Sequence, residues 1–280
     1  VVRVMDAKTG STVFTLSGHP QPAFGLAFTP NGQQLVTGDE SGRIWVWDLK
    51  NGKKVREFPR TAQTHARGIQ ALSFSTDGKT MYSTGKDDVV IVWDFATAKP
   101  KLRVQGNGVV FSSANMAPGS QLVVGTLTEG LHFRKAPAYG LSAKKDGHGG
   151  QGVSDLALNP AGTRAVTAGR DSKVTVWDVA KQTKLGSMVG HQDSVQRVAM
   201  APNGRLAASS ANDRMVIVWN TQTFKSVAKL ENQCAVGSPL AFTGDGRYLI
   251  TVNVNDGLQI NSVNPPAAAV ATKPAPRRRR

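Results

Sequence analysis

One spaced set of four side chains recurs along this chain and constrains its fold more than any other feature. The stretch "GHQDSVQRVAMAPNGRLAASSANDRMVIVWN" (190–220) carries His191, Ser209, Asp213 and Trp219. Laid over it, "GHGGQGVSDLALNPAGTRAVTAGRDSKVTVWD" (147–178) supplies His148, Thr167, Asp171 and Trp177, with the two histidines 43 positions apart. "THARGIQALSFSTDGKTMYSTGKDDVVIVWD" (64–94) supplies His65, Ser83, Asp87 and Trp93. "GHPQPAFGLAFTPNGQQLVTGDESGRIWVWD" (18–48) supplies His19, Thr37 and Trp47 but has Ser41 where the aspartate belongs. In the three complete sets the hydroxyl-to-Asp step is 4 and the Asp-to-Trp step is 6. A lone His, Ser and Asp would suggest a nucleophilic triad, but catalysis needs one oriented set beside an oxyanion hole. A set that returns at a fixed period is structural.

Each unit also reads as short strands. "VQRVAMAP", "RLAASSA" and "RMVIVWN" are alternating or continuous apolar runs separated by turn signals such as "PNG", "TDG" and "AND". A further run ("SVAKL", "KLGSMV", "KVREF") follows each Trp-Asp or Trp-Asn pair. Four strands in about 40–45 residues is the period of a β-propeller blade.

The "GH" ahead of the first strand, the "WD" or "WN" closing the third ("WVWD", "VVIVWD", "VTVWD", "VIVWN") and the aspartate six residues before the tryptophan together resemble the WD40 repeat family. The resemblance covers nearly the whole chain up to residue 263 and implies an all-β WD40 propeller. It also implies a hydrogen-bonded tetrad at His65/Ser83/Asp87/Trp93, His148/Thr167/Asp171/Trp177 and His191/Ser209/Asp213/Trp219, with His19, Thr37 and Trp47 as a partial set. The chemistry is coherent: Trp Nε1–H only donates, a carboxylate only accepts, and His and Ser/Thr do both. Left unmade, each such bond costs about 1–3 kcal/mol.

Three units depart from the pattern. The unit 106–137 has Asn107 near the histidine position, Gly125 for the hydroxyl, Glu129 for the aspartate and Lys135 for the tryptophan. The last, 236–263, keeps Thr251 and Asn255 but ends in Asn261-Ser262. The first, 1–18, holds only a third strand ending in Met5-Asp6 and a fourth, "STVFTL". The expected repeats are 1–18 (partial), 19–63, 64–105, 106–147, 148–190, 191–232 and 233–263. Seven blades with an incomplete first one are expected, two strands lying upstream of Val1; a six-bladed closure is the alternative, and it leaves "LQINSV" and "VVRVMD" competing for one place.

Other chemistry finds no support. "GHGGQG" (147–152) lacks a following Lys-Ser/Thr and precedes a strand where a phosphate loop precedes a helix, so it reads as an interblade loop. Four of the five histidines are spread one per unit, and His132 has no carboxylate pair nearby, so no metal is expected. Neither a cofactor nor an enzyme activity is expected, because no acid/base pair can be nominated. Trp45 is expected to pack between blades. The single Cys234 excludes an intrachain disulfide framework and fits a reducing, cytoplasmic compartment. No apolar run reaches membrane-spanning length, and any targeting segment is expected ahead of "VVRVMDAKTG".

The charge is the outlier of the composition: 34 Lys+Arg against 19 Asp+Glu give +15. Lys273 and Arg277, Arg278, Arg279 and Arg280 sit in the Pro/Ala-rich tail 264–280, which is expected to be disordered. A basic surface of this size attracts acidic proteins, nucleic acid or anionic lipid without choosing among them.

The family resemblance implies a scaffold for protein or peptide partners, a monomeric propeller within a complex, with partners met at the rim of the central channel. Carried over residue by residue, the position before the tetrad aspartate is Glu40, Lys86, Arg170 and Asn212. The start of the first strand gives Pro22 with Phe24, Gly68 with Gln70, Gly152 with Ser154, and Ser194 with Gln196. Phe24 reads equally as a partner anchor or as a core phenylalanine, and Lys86 with Arg170 would suit an acidic partner. The alternative function is nucleic-acid association through the basic surface and Arg-rich tail.

Overall fold

The computed structural model describes residues 1–7, 9–106, 111–117, 121–230, 239–253 and 257–263. The expectations at Asn107, Cys234, Asn255 and the tail 264–280 lie outside the described residues. Among these residues the regular elements are all β-strands. A two-stranded sheet, β1 (Val2–Met5) and β2 (Thr12–Leu16), comes first. Five four-stranded antiparallel sheets follow. They are β3 (Ala23–Phe28), β4 (Gln34–Asp39), β5 (Ile44–Asp48) and β6 (Lys53–Glu57); then β7 (Ile69–Phe74), β8 (Thr80–Gly85), β9 (Val89–Asp94) and β10 (Lys99–Gln105). Next come β11 (Phe111–Ala117), β12 (Gln121–Thr126), β13 (Gly130–Lys135) and β14 (Gly140–Lys145), then β15 (Val153–Leu158), β16 (Arg164–Gly169), β17 (Lys173–Asp178) and β18 (Thr183–Val189). The fifth holds β19 (Val195–Met200), β20 (Leu206–Ala211), β21 (Val216–Asn220) and β22 (Ser226–Leu230). A three-stranded sheet of β23 (Leu240–Phe242), β24 (Tyr248–Asn253) and β25 (Gly257–Ser262) closes the series.

Each sheet keeps its strands in chain order, and the first strands of successive sheets lie against one another from β3 to β23. That is the radial arrangement of a β-propeller. Tight turns with a glycine in the left-handed region, Gly78 (φ 68°) and Gly204 (φ 66°) among them, return the first strand onto the second. Second and third strands are buried along almost their whole length because a neighbouring blade covers each face, so they read as continuous apolar runs. Fourth strands lie at the circumference and carry Lys53, Lys54, Lys99, Lys101, Lys144 and Lys145, charges that blunt an open edge.

The core is therefore interblade. Val36, Ile44 and Val46 pack on Ile69, Leu72 and Met81. Val123, Leu131 and Phe133 pack on Leu156, Ala165 and Trp177, and Val166, Val174 and Val176 on Val195, Val198 and Ala207. Each fully buried large side chain contributes about 1.5–3 kcal/mol. Trp45 packs between sheets as expected: it joins Leu16, Val2 and Val4 of β1–β2 and stacks on His19 with ring centroids 4.2 Å apart.

Among the described residues six successive blades run from β3 to β25, and β1–β2 is a further sheet that shares no ladder hydrogen bond with β25. One expectation in the middle blade is corrected. The ladder pairs Leu122 with Arg134 and Val124 with His132, as Met81 pairs with Trp93 and Ser83 with Ile91 in the blade before. The hydroxyl, aspartate and tryptophan positions are thus Val124, Thr128 and Arg134 rather than Gly125, Glu129 and Lys135. A strand's side chains alternate between faces, so a slip of one residue inverts every assignment.

Candidate functional site

The four-residue sets assemble where strand geometry brings them. His65 Nε2 lies 2.7 Å from Ser83 Oγ, its Nδ1 2.8 Å from Asp87 Oδ1, and Trp93 Nε1–H donates to Ser83 Oγ at 2.8 Å. In the next complete set the same three distances are 2.8, 2.7 and 2.9 Å (His148, Thr167, Asp171, Trp177). In the last they are 2.8, 2.8 and 2.7 Å (His191, Ser209, Asp213, Trp219). One direction of donation satisfies all of it: indole N–H to hydroxyl, hydroxyl to Nε2, Nδ1–H to carboxylate. Burial pushes His148 and His191 below the ordinary histidine value, against the pull of Asp171 and Asp213, which favours the neutral ring this chain of bonds requires. Burial opposes ionisation of Asp87, but the His65 hydrogen bond and charge with the Ala66 N–H outweigh it, and the carboxyl stays below its ordinary range.

The first blade also has its carboxylate, at a position the spacing did not indicate. Asp39, not Ser41, meets His19 Nδ1 at 2.8 Å, while His19 Nε2 and Trp47 Nε1 reach Thr37 Oγ1 at 2.6 and 2.8 Å. Ser41 turns inward as a donor, its Oγ–H reaching Asp39 Oδ1 at 2.6 Å. Asp39 stands in the ladder where the other blades have Gly85, Gly169 or Ala211. A Cβ at Gly169 would sit 2.0 Å from His148 Nδ1 and 2.2 Å from Asp171 Oδ1, so a carboxylate arriving four residues after the hydroxyl favours a glycine at this place. Here the side chain itself fills the space. Among the described residues of the last blade one bond of the set is present: Asn261 Nδ2–H donates to Thr251 Oγ1 at 3.2 Å, the amide standing in for the indole.

The two classes of rim position are tied together by backbone. Glu40 N–H donates to Pro22 O (3.0 Å), Lys86 N–H to Gly68 O (2.8 Å) and Asn212 N–H to Ser194 O (3.0 Å). The first-strand residues Phe24, Gln70, Ser154 and Gln196 each fall where the ladder register shifts, so each is the extra, unpaired residue of a β-bulge. A bulge bends its strand and re-aims a side chain.

Six of these residues, Phe24, Gln70, Lys86, Ser154, Arg170 and Gln196, line one cavity of about 350 Å³ together with Asp155 and Arg197. Pro22, Glu40, Gly68, Gly152, Ser194 and Asn212 lie outside its lining, although Glu40 Oε1 accepts from Lys86 Nζ at 2.6 Å. Lys86 Nζ also stands 5.5 Å from the Phe24 ring centroid. Phe24 is a half-exposed side chain, not a core one. Asp155 and Arg197 were not foreseen, because without the bulge they belong to the opposite strand face. Burial pushes the Asp155 carboxyl up, opposed by Arg197 and by the Val198 and Leu156 N–H groups. Arg170 has no ion pair among the described residues and leaves the mouth with an uncompensated positive charge. Gln70 Oε1 and Ser154 Oγ are buried in the wall without a hydrogen-bond partner.

His132 lies buried on β13 with Glu129 Oε2 3.0 Å from its Nε2, and Lys144 Nζ completes the row 2.8 Å from the same carboxylate oxygen. Among the described residues no three His, Cys, Asp or Glu side chains are grouped as metal ligands, and no helix is long and apolar enough to cross a membrane.

Sequence comparison supplies the family. At 27% identity over 224 residues, covering 80% of this chain and 62% of the relative, the chain is similar to mouse (Mus musculus) serine-threonine kinase receptor-associated protein. It is also similar to nuclear distribution protein PAC1 of Arthroderma otae (26%; 74% of this chain, 41% of the relative). Protein hir1 of Schizosaccharomyces pombe matches at 24%, over 86% of this chain and 25% of its own length. The chain thus spans about three fifths or less of the relatives it matches. The profile described as "WD domain, G-beta repeat" matches residues 10–48, 53–94, 141–178 and 182–220, each match running from a fourth strand to the third strand of the following sheet. These matches take in more than half of the chain, which belongs to the WD40 repeat family.

Proposed function

We propose that this propeller is a non-catalytic scaffold that captures a protein segment at the mouth of its central channel. WD40 propellers generally serve as protein-interaction scaffolds. The observation that supports this use of the mouth is the convergence of Phe24, Lys86, Arg170 and Arg197 from separate blades on one cavity. An aromatic anchor beside guanidinium groups is the composition in which interface energy concentrates. Lys86 is offset by Glu40 and Arg197 faces Asp155, which leaves Arg170 to select an acidic side chain. Gln70 Oε1 in the wall would accept from the segment's backbone N–H.

Selection of displayed peptides on the full chain tests this. Enriched sequences pair an acidic residue with an apolar one, and Arg170→Glu weakens them by roughly tenfold or more, as truncating a hot-spot contact does. Thermal stability stays unchanged, because Arg170 is exposed and outside the core. Selected peptides indifferent to both Arg170→Glu and Phe24→Ala would overturn the reading.

Nucleic-acid association is the second reading, favoured by the lysines of β6, β10 and β14 on the circumference and by the net +15. It requires binding of single-stranded RNA or duplex DNA whose affinity falls steeply with salt.

A further inference from the structure

The mouth of the channel is bipolar. Lys86, Arg170 and Arg197 are exposed around it, whereas Gln70, Ser154 and Asp155 bring acceptor atoms to the same cavity. Gln70 Oε1 and Ser154 Oγ are buried without a hydrogen-bond partner among the described residues. Nearly all buried polar atoms in folded proteins are paired, so two open acceptors in one cavity mark a place that a donor from outside fills. Both belong to bulge residues, on β7 and β15, whose side chains the bulge re-aims.

Asp155 is a third acceptor, and its ladder place holds Gly25, Ala71 and Arg197 in three other blades. Its carboxylate accepts the Leu156 N–H at 2.9 Å and, across to the next blade, the Val198 N–H at 3.1 Å. A carboxylate offers about four lone-pair sites, so these two bonds leave it open to more. Arg197 acts on it by charge, but no ion pair reaches Asp155 among the described residues. Burial works against its ionised form, and a cation entering the cavity would restore that form where a neutral donor would do less. Ile69, Ala71 and Leu127 give the same cavity apolar walls. Apolar walls that lead to acceptors suit a long side chain with an apolar stem and a cationic head. Of the two such side chains arginine fits better, because its planar fork of five donors serves acceptors from two blades at once and is less strongly hydrated than an ammonium.

We propose that Gln70, Ser154 and Asp155 form the seat of an arginine side chain from the captured segment, so that the partner presents a basic and an acidic residue close together. This rests on the reading of the mouth as a capture site: the acidic residue meets Arg170, and the arginine fills the cavity. A segment with an acidic residue alone would close the mouth over three acceptors, cut them off from water and leave them unmade. Lys86 is paired with Glu40 and Arg170 is matched by the acidic residue, so little net charge opposes the incoming guanidinium. The Gln70 carbonyl oxygen has two lone pairs and can take a backbone N–H of the segment together with the side-chain donor.

The test titrates the full, isotopically labelled chain with N-acetylarginine amide and follows backbone amides by NMR. A chain of net charge +15 repels a cationic probe in general, so saturable binding reports a built site. The seat predicts saturable shifts at the Leu156 and Val198 amides, which bond to Asp155, with affinity of the order of millimolar for so small a probe. N-acetylcitrulline amide, of the same shape but neutral, binds roughly tenfold more weakly or worse, as does arginine amide to Asp155→Asn. Gln70→Leu weakens arginine amide by about threefold or more. Should Asp155→Asn fail to fold, the citrulline comparison on the unaltered chain and Gln70→Leu still decide. No saturable shift, equal binding of the citrulline amide, or binding indifferent to Gln70→Leu overturns the proposal. Arg170→Glu separates the two readings, because it weakens acidic peptides but leaves arginine amide as tight or tighter. Peptides captured through Arg170 without any response to arginine amide would sink the seat alone, whereas a response to arginine amide with no peptide captured would sink the capture reading alone.

Discussion

The blade β15–β18 and the blade β11–β14 have the same strand order and the same ladder, yet they are fastened by different means. In β15–β18 a buried row runs from Trp177 through Thr167 and His148 to Asp171, every polar atom paired. In β11–β14 the corresponding places hold Val124 and Arg134, and the Arg134 guanidinium donates to Tyr139 O at 3.2 Å. The polar row has moved to the turn, where Lys144, Glu129 and His132 meet. Apolar packing of Leu122, Val123, Leu131 and Phe133 is therefore enough to hold a blade in register. The tetrad adds directionality: once a buried polar network is present, all of its members must be satisfied.

The largest effect follows from that difference. Trp177→Ala removes a fully buried indole and leaves Thr167 short of a donor, with an expected loss of about 3–5 kcal/mol. Arg134→Leu, at the matching ladder place, exchanges a buried cation for an apolar side chain and should cost about 1 kcal/mol or less. Urea midpoints of the two variants decide it. Equal losses would mean that the middle blade depends on its polar group as much as its neighbour does.

How much of this was legible in the sequence depended on spacing. Three tetrads stood out because a β-turn of constant length separates hydroxyl from aspartate, and the WD endings repeat in register. The same rule hid Asp39, which lies two residues after Thr37, in the place usually left to glycine or alanine. "GDES" does hold an acid beside the missing one, but only side-chain geometry shows that it reaches His19. Spacing alone places the set of the middle unit one residue late, because nothing in "GTLTEGLHF" marks which residue faces inward. Bulges were invisible as well, and with them the turning of Asp155 and Arg197 into the channel mouth.

Asp39 provides the next test. Asp39→Gly strips His19 Nδ1 of its acceptor and should cost about 1–3 kcal/mol. Adding Ser41→Asp recreates the arrangement of the other blades and should recover most of that loss. A double-mutant cycle on thermal stability reads the coupling between the two sites. Simple additivity would show that the carboxylate cannot be moved between the two positions.

Acid should separate the two kinds of blade further. Burial holds His148, His191 and His132 below the ordinary histidine value. A group whose folded pKa is lowered contributes its full stability above the unfolded pKa and loses it as pH falls below that value. Melting temperature should therefore begin to fall below about pH 6.5. A second decline follows below about pH 4 as Asp39, Asp87 and Asp213, also lowered against the effect of burial by their hydrogen bonds, take up protons. His132→Leu should reduce the first decline with little change at pH 8, whereas His148→Leu should destabilise at every pH because the tetrad is broken. Identical pH profiles for the two variants would contradict the different roles assigned to these histidines.

The smallest effect is expected in the last blade, where one bond of the tetrad is present among the described residues. Asn261→Ala removes the donor to Thr251 Oγ1 and should cost about 0.5–1.5 kcal/mol, the net worth of one ordinary hydrogen bond. Asn261→Trp restores the donor type found at Trp219 but should give no gain. The indoles of complete blades are packed against the preceding blade and bonded to a hydroxyl that is itself bonded to histidine; beside Asn261 the preceding blade is present through Val218, Ala228 and Leu230, but no histidine reaches Thr251 among the described residues. If Asn261→Trp instead raises the unfolding midpoint, the indole contributes by its apolar area alone. The tetrad would then be a consequence of burying tryptophan at the end of the third strand, not the reason for it.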